Sequence, residues 1–88
     1  MSKVNRDLMA YGKASGAFEY AAKRYMEDNS NQRLKQEVTA AFNYLEREAY
    51  PPIEAAYNNA PESKETASAY EIATRDLMEM RNKWQSLP

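Results

Sequence analysis

The sequence predicts an all-α protein: an antiparallel bundle of three long helices plus a short, proline-bounded helical turn. Three observations predict it. Only seven residues are β-branched, and no stretch alternates apolar with polar as a strand does. Apolar residues instead recur at alternating spacings of three and four over long stretches, the signature of one helix face. Between those stretches lie clusters of small polar residues and prolines that break helices.

The first helix is expected over residues 3–27. Val4, Leu8, Tyr11, Ser15, Phe18, Ala22 and Tyr25 form its seam, with Ser15 the one polar member. Gly12 and Gly16 lie four apart on another side, each costing a helix about 1 kcal/mol relative to alanine. Either the helix breaks there, or it continues and the glycines let another backbone approach. Asp28-Asn29-Ser30-Asn31 is a turn rich in capping residues. The second helix is expected over 31–50, with Leu34, Val38, Phe42, Leu45 and Ala49 inward. Tyr50-Pro51-Pro52 should end it, because each proline disfavours helical geometry in the residue before it. A short turn over 52–58 follows, with Ile53, Ala56 and Tyr57 at least partly inward. The last helix is expected over 62–86. Its face of Tyr70, Ala73, Leu77, Met80, Trp84 and Leu87 carries the only tryptophan, and the other helices are expected to assemble around it. Ile72, off that seam, is expected to widen the face toward a second helix.

Composition bounds the rest. Eighty-eight residues make one domain, 1–88. Leu, Ile, Val and Phe together number eleven, so tyrosine, methionine and alanine must fill the core. A domain this small buries only about 60–65% of its chain surface, which predicts modest stability as a monomer or help from a partner or a second copy. No apolar run reaches the roughly 18 residues of a membrane span and no signal-peptide core is visible, so a cytoplasmic protein without membrane association is expected. The net charge of −1 gives no general attraction to polyanions. It is unevenly spread: residues 1–36 hold seven basic and four acidic groups, and residues 37–80 hold three and nine.

Little points to chemistry. There is no Cys and no His, so the usual nucleophile–base pairs and transition-metal sites are absent. Gly12 and Gly16 lack the Gly-Lys-Ser/Thr of a phosphate loop. No catalytic residue, metal or cofactor is expected. Lys23, Arg24, Arg33 and Lys35 flank the first turn, but Glu27, Asp28 and Glu37 lie among them, which argues against nucleic-acid binding. What remains is surface. Met9, Gly16 and Tyr20 share the face of the first helix opposite its seam, and Tyr44, Tyr50 and Tyr57 are placed to line one corner. Tyrosine and methionine are enriched at protein interfaces, so these six are the candidate partner-binding residues.

Lys3-Val4-Asn5-Arg6-Asp7-Leu8-Met9-Ala10-Tyr11-Gly12 resembles the first helix of the theta subunit of bacterial DNA polymerase III and its phage homologue. That family has a Lys-Val-Asn-x-Asp-Leu-x-Ala-x-Gly stretch at a similar place. The match covers ten residues, with only loose correspondence at Met26-Glu27 and Leu34-Lys35. The family's Asn-x-Pro-Val and Arg-Glu-Gln-Pro-Glu stretches are missing. The Pro51-Pro52 region and the long last helix have no counterpart in it. The resemblance implies a small helical protein that binds a proofreading exonuclease, with Val4, Leu8 and Tyr11 as seam residues. The residues themselves point to a non-catalytic protein-binding module: an accessory subunit, adaptor or inhibitor of a larger machine. By analogy such a chain suits phages and plasmids. The alternative is a self-assembling helical structural protein, in which a homodimer completes the core.

Overall fold

In the computed structural model, which describes residues 2–88, the chain forms helix α1 (Lys3–Glu27), helix α2 (Gln32–Tyr44), a π-turn (Leu45–Ala49), helix α3 (Pro51–Asn59) and helix α4 (Lys64–Gln85). No strand occurs among the described residues. Each long helix begins at a side chain that satisfies a free backbone N–H. The Ser2 hydroxyl accepts from Asn5, the Asn31 carbonyl oxygen from Arg33 and Leu34, and the Ser63 hydroxyl from Thr66. The Thr66 hydroxyl also donates to the Ala60 carbonyl at 2.5 Å, tying the turn before α4 to its first residues.

The path is up, down, up. α1 descends through the Asp28–Asn31 turn into α2, the bent α2–α3 segment runs back, and α4 returns parallel to α1. Ser2 donates to Glu65 at one end of the α1–α4 pair, and Lys83 meets Glu19 at 3.2 Å toward the other. α1 rather than α4 is the organiser, since it touches α2, the π-turn, α3 and α4. Phe18, Leu45 and Ile53 are the largest fully enclosed side chains. Two aromatic groups flank them. Phe42 stands edge-on between Phe18 and Trp84, 5.5 Å from each, and joins α1, α2 and α4. At the other end Tyr11, Tyr50, Tyr70 and Tyr57 follow one another at 6.4, 6.4 and 4.4 Å between ring centres.

The expected stop at Tyr50–Pro51 does not occur. Tyr50 is helical at φ −77°, ψ −44°, and α3 begins at Pro51. The chain bends without becoming extended. A regular α-turn would set each proline ring against the carbonyl four residues back, those of Arg47 and Glu48. The π-turn opens the spiral there, with the Tyr50 N–H donating to the Leu45 carbonyl five residues back at 3.0 Å. Pro51 and Pro52 then occupy the first positions of α3, where no N–H is needed. The extra residue in the turn lets both Ala49 and Tyr50 face the core.

Helix α1 passes through Gly12 and Gly16 unbroken. Among the described residues, nothing beyond its own stretch of helix backbone comes within 4 Å of a Cβ built at either glycine. The close approach expected from the glycines is therefore not made within this molecule. Gly12→Ala and Gly16→Ala should each raise stability by roughly 0.8–1 kcal/mol, through helix propensity alone. In a domain of this size that is a gain of about 4–8 °C in Tm per kcal/mol, measurable by thermal melting. A loss of stability would mean that these glycines relieve a contact.

Candidate partner-binding surface

Met9, Gly12, Gly16 and Tyr20 run along the solvent side of α1 at spacings of three and four, which places them in one stripe. Met9 is 54% exposed and Tyr20 65%. The Arg24 guanidinium lies over the Tyr20 ring at 5.8 Å and also donates to Glu37 at 3.1 Å. Beside this stripe, between α1 and α4, runs a groove of about 350 Å³. Leu8, Gly12 and Gly16 form its α1 wall and Ile72 the edge of its α4 wall. Ile72 is 57% exposed, so it faces solvent across the groove and does not widen the buried seam. The stripe and the groove together make a continuous surface of methionine, isoleucine, leucine and bare backbone.

The groove has a polar floor. The Tyr11 hydroxyl donates to Asp76 Oδ2 at 2.8 Å, and the Ser15 hydroxyl donates to the same oxygen at 2.6 Å. This explains the single polar residue in the α1 seam. Ser15 is buried because α4 supplies a carboxylate to receive it. Burial, together with the hydrogen bond to Asp76 and its negative charge, pushes the Tyr11 hydroxyl far above the ordinary tyrosine range. Burial also pushes Tyr50 upward, opposed by its hydrogen bond to Thr74 at 2.6 Å. Sequence reasoning placed Asp76 nowhere. Its position one turn after Ile72, across from Ser15, becomes meaningful only once α1 and α4 lie side by side.

Of the three tyrosines expected to share a corner, Tyr50 and Tyr57 both pack on Tyr70, and Tyr44 lies elsewhere. Tyr50 is buried and bonded to Thr74, which removes it as a contact residue. Tyr57 is half-buried, stacked on Tyr70 at 4.4 Å and 5° between ring planes, at the edge of a second groove with Thr74 and Met78. Tyr44 is 58% exposed and belongs to a different surface, a shallow α1–α2 groove with Ala14, Ala17 and Ala41. The physical reason is the π-turn, which turns Tyr50 into the core while Tyr44 stays on the α1 side.

Other charged contacts are ordinary. Arg33 meets Glu37 at 3.7 Å and Arg75 meets Glu71 at 3.2 Å, both exposed pairs one helical turn apart. Lys83 reaches across to Glu19 and not along its own helix to Glu79. Arg81 and Glu46 join at 2.7 Å, fastening α4 to the π-turn. Among the described residues, no group of three or more acidic, His or Cys side chains is placed to hold a metal ion, and no helix is long and apolar enough to cross a membrane. No family model, no curated protein and no solved structure matches this chain.

Proposed function

We propose that this protein is a non-catalytic protein-binding module that docks through the outer stripe of α1 and the adjoining α1–α4 groove. One observation carries the reading: Gly12 and Gly16 stand bare in the middle of a long helix, beside exposed Met9, Tyr20 and Ile72. Two glycines in a helix interior cost about 2 kcal/mol, with no contact in the fold to offset it. Large apolar side chains left in water beside them add a second cost. Both are relieved if another backbone lies against the glycines and covers the apolar rim. The helical seams support this reading over self-assembly by core completion, because both long seams are already used within one copy.

Gly16→Leu separates binding from folding. Leucine is a good helix former and its Cβ has free space at this site, so the variant should fold about as stably as the parent, checked by thermal melting. It would also block close approach. Affinity capture by the tagged protein from its source cells, read by mass spectrometry, should yield a stoichiometric partner that Gly16→Leu loses and Tyr57→Ala keeps. A partner retained by Gly16→Leu would move the interface away from α1. Recovery of the protein alone, with a dimer by light scattering, would replace the reading with self-assembly.

A further inference from the structure

We propose that the α1–α4 groove receives an arginine side chain from the protein partner, its guanidinium against Asp76 and its aliphatic stem along Leu8 and Ile72. This rests on the groove being the docking surface and specifies the chemistry of what enters it.

The Asp76 carboxylate is half-buried in this groove. Both of its hydrogen bonds, from Tyr11 and Ser15, end on Oδ2. Among the described residues nothing donates to Oδ1, and no cation of the chain lies within ion-pair distance of Asp76. The two hydroxyls hold the carboxylate in place, so its free oxygen is presented without loss of side-chain freedom. The other carboxylate of the groove, Glu19, is paired with Lys83 at 3.2 Å, which leaves Asp76 as the groove's carboxylate without a cation among the described residues. The remaining lining is apolar or bare backbone: Leu8, Ile72, Gly12 and Gly16. A half-buried acid in a groove that also presents Leu8 and Ile72 calls for a long side chain with an apolar stem and a cationic head.

Arginine fits better than lysine for a physical reason. Its guanidinium is more weakly hydrated than an ammonium, so entering an apolar trough costs it less. Its planar face can also lie flat on the exposed peptide groups of a glycine helix. A groove of about 350 Å³ has room for one such side chain. The partner's main chain would then ride above, over the Gly12–Gly16 stretch.

The test uses Nα-acetyl-arginine methylamide as the probe, titrated into the isotope-labelled protein and followed by backbone amide shifts. Saturable shifts at Gly12, Gly16, Ile72 and Asp76 are expected, weakening several-fold as salt is raised. The citrulline analogue, the same shape without the charge, should bind roughly tenfold more weakly or not at all, as the loss of one charge-assisted hydrogen bond implies. Asp76→Asn keeps an oxygen to accept from Tyr11 and Ser15, so the fold should persist while the probe response falls by a similar factor. Equal response to citrulline, an unchanged response in Asp76→Asn, or shifts scattered over the surface glutamates would overturn the proposal. So would groove shifts that depend on protein concentration alone, since a second copy would then fill the site. The outcomes remain separable from those of partner capture. A partner lost in Gly16→Leu with no arginine response leaves the docking surface standing and removes only its chemistry.

Discussion

Phe18→Ala is expected to lower stability by about 3–5 kcal/mol, the range for truncating a fully enclosed aromatic ring. Small domains have roughly 5–15 kcal/mol in total, and one with so few large aliphatics should lie toward the lower end. The variant should therefore sit near its unfolding midpoint at room temperature. The cost is large because Phe18 belongs to α1, the helix that every other element touches, and its ring abuts Phe42, which in turn abuts Trp84. Removing it leaves a void beside the Phe42 ring, which Trp84 holds from its other side, so the site cannot collapse without moving α2 against α4. Urea unfolding followed by tryptophan fluorescence would report the change, with Ile53→Val as a mild comparison expected to cost about 0.5–1.5 kcal/mol. A loss below 1 kcal/mol for Phe18→Ala would show that these rings are loosely packed.

The second large effect is alkaline. In the folded protein the Tyr11 hydroxyl titrates well above its ordinary value near pH 10.0. A proton held more tightly in the folded than in the unfolded state contributes stability that is fully present below about pH 10. That contribution is lost as pH rises from there toward the folded value, at up to about 1.4 kcal/mol per pH unit. By pH 12 Tyr11 alone should cost up to about 3 kcal/mol, and Tyr50, raised in the same direction, adds to the loss. Tyr11 should therefore resist ionisation well above pH 10, read by ultraviolet absorbance, with Tyr50 shifted in the same direction. Tyr11→Phe should lower stability at neutral pH by about 1–2 kcal/mol, because Asp76 keeps only Ser15, yet flatten the alkaline decline. Seven tyrosines titrating together near pH 10 in a folded protein would sink the account of the Tyr11–Ser15–Asp76 layer.

Part of the candidate site could be read in advance. Met9, Gly16 and Tyr20 were assigned to one outward face from spacing alone, and they lie there, since a helix face follows from residue number once the helix exists. The other half was out of reach. Ile72 and Asp76 join Gly12 and Gly16 only because α4 lies parallel to α1 at one register, and spacing within a helix carries no register between helices. The tyrosine corner depends on tertiary packing in the same way: Tyr50 and Tyr57 both reach Tyr70, while Tyr44, ahead of the π-turn, lies against α1.

Local chemistry in the sequence determined that this protein is helical and where α1 and α4 run. Helix formation depends on near neighbours three and four apart, and those are written in order along the chain. It also determined that neither Cys nor His chemistry is present. The tertiary structure decided the rest. It showed that Pro51-Pro52 bends a continuing helix without ending it, because packing of Ala49, Tyr50 and Ile53 outweighs the local preference of a residue before proline. It showed that Ser15 is buried against a carboxylate sixty-one positions away. And it left Gly12 and Gly16 uncovered, a fact that depends on what every other helix does not reach.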